Sequence, residues 1–106
     1  MLRIYDTALN IVRQVRPVLE RIAQRDGDLA RQMSRALTSV PLNIAEGSSS
    51  RGRNRAARYH TGAGSMREVL AAINVAVALG YIEQPEAALT DSMGLVVGTL
   101  MKNARG

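Results

Sequence analysis

The sequence predicts an all-α protein, an antiparallel up-and-down four-helix bundle formed by residues 1–106 as a single domain. Three observations favour this class. Apolar residues recur at three- and four-residue steps in four segments, short breaks containing Gly, Pro or Asp separate the segments, and the aromatic residues are limited to three tyrosines. A core of Ala, Leu, Ile, Val and Met suits closely packed helices better than strands.

The first helix is predicted over about residues 4–25. Its apolar stripe continues past Pro17, which is expected to bend the helix. A turn at Asp26 and Gly27 follows, and the carboxylate of Asp28 is placed to cap the next helix. The stripe consists of Tyr5, Ala8, Val12, Val15, Leu19 and Ile22.

The second helix is predicted over about residues 29–46. Its stripe keeps its phase through Pro41, which predicts one kinked helix; the alternative is two helices that meet at Ser39–Pro41. Gly47 follows the predicted end of the helix, where a glycine adopts positive φ at low cost, and is interpreted as a C-terminal cap. The stripe consists of Leu29, Met33, Leu37, Val40 and Ile44.

The third helix is predicted over about residues 54–79, with Asn54 as its N-terminal cap and Gly80 as a C-terminal cap in the left-handed conformation. Gly62 and Gly64 lie inside it, and each costs about 1 kcal/mol relative to alanine. A neighbouring helix backbone is therefore expected to pass close to them. The stripe consists of Tyr59, Ala63, Met66, Leu70, Ile73 and Val77.

The fourth helix is predicted over about residues 85–101, because Pro85 suits a first helical turn and an apolar stripe follows it. That stripe consists of Leu89, Met93, Val96 and Leu100.

Arginines cluster around the predicted start of the third helix. Arg51 and Arg53 precede it, and Arg55 and Arg58 fall in its first turns, where free N–H groups and the helix dipole already form a positive end. This arrangement predicts a phosphate-binding site. The alternative is a solvated basic loop that Glu46 and acidic residues of a neighbouring chain partly neutralise. We expect the Glu46 carboxylate to be paired with Arg51, Arg53 or Arg55.

The charge is unevenly distributed along the chain, whose net charge is +5. Residues 1–67 contain twelve arginines and five acidic residues, a balance of +7, whereas residues 68–106 contain two basic and four acidic residues, a balance of −2. Arg31 and Arg35, a like-charged pair on the second helix, therefore join the candidate nucleic-acid-binding residues. A GC-rich coding bias would also enrich arginine, so the composition leaves both explanations open.

No group of residues predicts catalysis. The chain has no cysteine, the single histidine, His60, has no ligand or base partner at a suitable spacing, and Ser48–Ser50 have no base in register. We therefore expect no catalytic residue, no metal site and no cofactor. The sequence has neither the apolar run of a signal peptide nor a membrane-spanning segment, so a cytoplasmic protein is expected.

Three short motifs carry a resemblance to a known family: Ser39–Gly47 (SVPLNIAEG), Gly64–Glu68 (GSMRE) and Leu79–Ile82 (LGYI). Through them nearly the whole chain resembles the four-helix bundle proteins first noted as reading frames in 23S ribosomal RNA intervening sequences. A related branch is the accessory variability determinant of diversity-generating retroelements, a basic pentamer that binds nucleic acid and its reverse transcriptase. The resemblance implies a homopentamer without established catalysis. The motif residues to which it assigns a structural role are Pro41, Asn43, Glu46, Gly47, Gly64 and Glu68.

Two functional hypotheses result. The first is a non-enzymatic nucleic-acid-binding accessory protein, a basic homopentameric ring that contacts RNA or DNA phosphates without base specificity. Assembly is expected to bury Pro41, Ile44 and parts of helices 1 and 4. The alternative is an oligomeric protein-interaction scaffold with a protein partner such as a polymerase, in which the arginines form ion pairs with Glu46 between subunits.

Overall fold

The computed structural model describes residues 2–105, which form four α-helices and no strand. The helices are α1 (Leu2–Arg25), α2 (Gly27–Ser48), α3 (Gly52–Ala78) and α4 (Ala87–Arg105). Each packs against its neighbours in the chain, and α4 closes the bundle by packing against α1. Consecutive helices run antiparallel because the connections between them are short. The four-helix bundle predicted from the sequence is confirmed.

The predicted stripe is fully buried on α4. It is buried on α2 except at Leu29, and on α3 except at Leu70 and Val77, which are half-buried.

The stripe predicted for α1 was one position out on half of its turns. Ala8, Val15 and Ile22 are buried as expected, whereas Tyr5 and Val12 are only half-buried. The remaining buried positions of α1 are Ile4, Ile11 and Val18. The error arises because adjacent positions on this helix are both apolar, so a 3.6-residue period fits either stripe. Within residues 3–105 no polar or charged side chain lies in the core.

The helix starts differ from the predicted ones. The cap of α2 is Asp26, whose Oδ1 accepts from the Leu29 N–H at 3.0 Å, and the predicted cap Asp28 lies in the first turn. On α3 the capping position is Arg51, which makes no side-chain cap, and the predicted cap Asn54 is already helical. On α4 the helix begins two residues after Pro85. Residue preference therefore placed the caps of α2 and α3 two and three residues too late, and the start of α4 two residues too early.

Both prolines lie inside uninterrupted helices. Pro17 is within α1 and Pro41 is within α2, so the alternative of two helices meeting at Ser39–Pro41 is wrong. Pro41 is also buried, and Ile44 is fully buried, in the core of their own chain. The expectation that these two residues become buried only on assembly is therefore wrong as well, since the α2 stripe already turns them inward.

Gly47 is not the C-terminal cap that the sequence predicted. It lies inside α2, and positive φ is found among the described glycines at Gly52 (+56°) and Gly80 (+76°). A Cβ at Gly47 would lie 2.6 Å from Cδ1 of Tyr59 and closer still to Cε1. The Tyr59 ring is 2% exposed, so it fills the space that a side chain on residue 47 would need. Gly47 is required by this packing, not by backbone conformation.

Of the roles predicted for the glycines in α3 and at its end, those of Gly62 and Gly80 are confirmed and that of Gly64 is not. A Cβ at Gly62 would lie 3.2 Å from Cδ1 of Leu100 and 3.8 Å from the Val40 carbonyl oxygen, so α4 and α2 both approach it closely. Gly64 faces open space, and the close approach expected there is wrong. Gly80 ends α3 as predicted, and the Tyr81 N–H donates to the Ala76 carbonyl at 2.9 Å.

A polar contact joins the two loops at the end of the bundle away from Gly47. The Tyr81 hydroxyl donates to Oδ2 of Asp26 at 3.2 Å, while Oδ1 of the same carboxylate caps α2. The Arg25 guanidinium lies 5.5 Å from the centre of the Tyr81 ring. Asp26 therefore connects the turn between α1 and α2 to the loop that follows α3.

None of the helices over residues 2–105 has an apolar stretch of the length that membrane crossing requires.

We expect Gly47→Ala to lower the free energy of unfolding by about 1–3 kcal/mol, because its methyl group overlaps the Tyr59 ring. Urea unfolding followed by circular dichroism measures the change. Gly64→Ala is the matched control, since it is helical and unobstructed. It should leave stability unchanged or raise it by up to about 1 kcal/mol. Equal effects of the two substitutions would contradict the packing role of Gly47.

We expect the Tyr81 contact to weaken at alkaline pH. Partial burial raises the pKa of Tyr81, and the hydrogen bond and negative charge of Asp26 raise that pKa further. The neutral phenol is the form that the fold favours, so its contribution to stability is complete below about pH 10 and is lost as pH rises through the raised pKa. The free energies of unfolding of the wild type and Tyr81→Phe, measured in urea, should therefore converge above the raised pKa of Tyr81. A constant difference between them would contradict this linkage.

Candidate nucleic-acid interface

The end of α2 is capped by the serines that follow it. The last carbonyls of a helix have no partner within the helix, and those of α2 are supplied with donors by nearby hydroxyls. Ser49 Oγ and Ser50 Oγ both donate to the Glu46 carbonyl oxygen, at 3.1 and 2.7 Å, and Ser48 Oγ donates to that of Ile44 at 2.9 Å. The serine run between α2 and α3 is therefore a structural cap.

Arg55 completes this cap from the first turn of α3. Its Nε donates to the carbonyl oxygens of Gly47 (3.1 Å) and Ser50 (3.0 Å), and its Nη2 approaches that of Ser48 at 3.5 Å. A cation in this position meets the negative end of the α2 dipole. This contact explains why an arginine occupies the first turn of α3, where the dipole of α3 alone would favour an acidic residue.

The ion pair expected between Glu46 and a nearby arginine is not formed. Within residues 2–105 the ion pairs are Arg16–Glu20, at 3.4 Å, and Arg31–Asp28. The Glu46 side chain is exposed, and Arg55 reaches the carbonyl end of α2 instead of its carboxylate. The cause is geometric, since the guanidinium meets the carbonyl oxygens of Gly47 and Ser48 in the last turn of α2 and that of Ser50 in the loop after it.

The remaining three corner arginines, Arg51, Arg53 and Arg58, are exposed and make no ion pair with any described residue. Arg51 and Arg53 flank Gly52, whose positive φ turns the chain into α3. The guanidinium groups of all three arginines are therefore free to bind an anion from solvent.

The topology adds three cations that the sequence analysis did not select. An antiparallel bundle places the start of α1 and the end of α4 at the same end as the corner between α2 and α3. We call this end, whose acidic residues are Asp6 and Glu46, the basic end. Its cationic residues are Arg3, Arg51, Arg53, Arg55, Arg58, Lys102 and Arg105.

Arg31 and Arg35 are not brought to the basic end. They lie on the first half of α2, about 24 Å and 18 Å along the helix from Gly47 at 1.5 Å per residue. Arg31 forms an ion pair with Asp28, and this carboxylate reduces the repulsion between Arg31 and Arg35. Arg35 lies instead in a cleft of about 380 Å³ between α2 and α3.

The motif residues divide into a packing group and an exposed group. Asn43 Nδ2 donates to Ser39 Oγ at 2.9 Å, and Ser39 Oγ lies 2.8 Å from Ser65 Oγ, which makes a polar bridge from α2 to α3. With Pro41 and Gly47 in the core, this bridge holds the two helices together. The exposed motif residues are Glu46, Gly64 and Glu68, the last of which lines the cleft beside Arg35.

Comparison with known proteins gives one result. The family model described as 23S rRNA-intervening sequence protein matches residues 1–100 of the chain. No curated protein and no solved structure gives a significant match.

We expect Arg55→Ala to lower the free energy of unfolding by about 1 kcal/mol, because carbonyl groups at the end of α2 lose a charged donor. Chemical denaturation measures the loss. Arg53→Ala is the matched control, since it removes the same charge from the same turn without removing a hydrogen bond. A loss of equal size in Arg53→Ala would assign the effect to net charge and contradict the capping role.

Proposed function

Since the chain belongs to the 23S rRNA-intervening sequence protein family, we propose that it is a non-enzymatic accessory protein that binds nucleic acid through its basic end. The family description refers to ribosomal RNA, which favours an RNA-related role. The protein would contact phosphate groups and would not distinguish one base from another.

One observation carries this proposal: seven cations and two acidic residues share one end of the bundle, and none of these cations forms an ion pair among the described residues. Keeping like charges together costs stability unless an anion approaches them. A phosphate backbone supplies that anion repeatedly, and arginine binds it through two parallel hydrogen bonds.

The dimensions of the basic end suit a short stretch of one strand. The cross-section of the bundle is 25 × 19 Å. Phosphates follow one another at about 3.4 Å along one strand of B-DNA, so one copy spans about five to seven of them. Side chains on three different helices would meet these phosphates. Such contacts fix position along a strand but carry no sequence information.

A homopentameric ring would multiply this weak site. Four large apolar side chains are exposed, to between 46% and 64%, which is consistent with contacts between copies. They are Leu42, Val75, Leu79 and Leu95. Val75 and Leu79 belong to an outer face of α3 that also carries Gly64, Glu68 and Ala71. Five linked sites would bind a strand more tightly than one through effective concentration.

The second candidate is an oligomeric scaffold for a protein partner such as a polymerase. It is favoured by Glu46, whose carboxylate is exposed and unpaired among the described residues. In this arrangement Glu46 of one copy would accept an ion pair from Arg53 or Arg55 of the next.

We expect Arg51→Ala, Arg53→Ala and Arg58→Ala each to weaken binding to RNA and to reduce the slope of log K against log salt by about one. Fluorescence anisotropy with a labelled oligonucleotide, between about 50 and 200 mM salt, measures both quantities. Arg21→Ala is the matched control, because Arg21 is exposed at the opposite end of the bundle. Affinity that does not change with salt would contradict phosphate binding.

Light scattering on the same variants separates the two candidate functions. The accessory protein should keep its oligomeric state in Arg53→Ala and bind nucleic acid more weakly. The scaffold should instead dissociate in Arg53→Ala and in Glu46→Gln.

A further inference from the structure

An open groove lies between the first turns of α3 and the last turns of α4, with a volume of about 510 Å³. Its floor is apolar and shallow because the side chains that form it are small or unbranched. One wall carries the imidazole of His60, the single histidine of the chain. The groove is formed by Ala56, Ala57, His60, Thr61, Met101, Ala104 and Arg105.

Cations border this apolar floor. Arg105 lines the groove itself, and Lys102 follows Met101 in the same turn of α4. On α3, Arg53 stands one turn before Ala57, which places it on the same side of the helix. The groove therefore opens within the basic end and combines a flat apolar surface with positive charge at its rim.

This combination fits one kind of partner. Single-stranded nucleic acids are bound where cations follow the backbone and flat side chains stack on exposed bases. We propose that the groove takes an unstacked base of single-stranded nucleic acid against His60, while Arg53 and Arg105 hold the adjoining phosphates. The inference rests on the proposed function and adds to it a preference for single strands. Stacking does not depend on base identity, so the site still reads no sequence.

A helix from a second copy fits the groove less well. It would cover Arg105 and the neighbouring cations, and withdrawing charges from water without partners is costly. The large exposed apolar residues that such a contact would use, Leu42, Val75, Leu79 and Leu95, all lie outside the groove. The charge at the rim favours an anion.

The test compares three ligands of equal length, about ten nucleotides: oligouridylate, an abasic strand with the same backbone, and a duplex. The wild type should bind oligouridylate at least about fivefold more tightly than the abasic strand. His60→Ala should reduce this ratio of affinities to about one, and His60→Phe should retain it because phenylalanine still offers a ring for stacking. The duplex offers phosphates but no unstacked base, so His60→Ala should weaken binding to oligouridylate and leave binding to the duplex unchanged. His60 is exposed, so neither change disturbs the core.

A second pair of variants blocks the groove directly. Ala57→Glu puts a carboxylate on the floor, whereas the matched control Ala23→Glu adds the same charge at an exposed position of α1 outside the groove. The preference for oligouridylate should disappear in Ala57→Glu and persist in Ala23→Glu. Loss of the preference in both variants would overturn the groove assignment.

The outcomes separate this inference from the proposed function. If the wild type binds oligouridylate and the abasic strand equally, phosphate binding stands and the base site is overturned. If it binds no ligand at low salt, the proposed function fails, and the base site fails with it. If His60→Ala changes the oligomeric state in light scattering, the groove is a contact between copies and the base site is overturned.

Discussion

The packing of the Tyr59 ring against Gly47 is the contact on which the corner between α2 and α3 depends. It allows the last turn of α2 to approach the second turn of α3 with no side chain between the ring and the α2 backbone. That close approach brings Arg55 within hydrogen-bonding distance of the α2 carbonyls. The corner therefore joins the two helices through ring packing and through the hydrogen bonds of Arg55.

The same joint explains how so many cations are accommodated at one end. Arg55 neutralises the carbonyl end of α2, so its charge stabilises the fold. The other corner arginines receive no such compensation from the described residues, and their mutual repulsion opposes folding. Stability away from this end comes from the apolar core and from the polar bridge between α2 and α3. The bundle therefore tolerates a concentration of charge that its stability does not require.

The sequence predicted the four helices, the left-handed end of α3 at Gly80 and the close approach at Gly62, because periodicity and local glycine conformation are encoded within a few residues. It did not predict the role of Gly47, since the reason for that glycine is a ring twelve residues away on another helix. From the sequence alone, the excess of positive charge belongs to the first part of the chain. In the folded protein this excess lies at one end of the bundle, because the antiparallel topology brings Arg3, Lys102 and Arg105 to the same end as the corner arginines.

This separation of charge has a consequence for how the molecule approaches a polyanion. The bundle is 42 Å long and its excess positive charge is concentrated at one end, so it has an electric dipole along its long axis. The field of a nucleic acid exerts a torque on such a dipole before contact and turns the basic end forward. The chain would then stand upright on the strand and cover it with its narrow 25 × 19 Å cross-section.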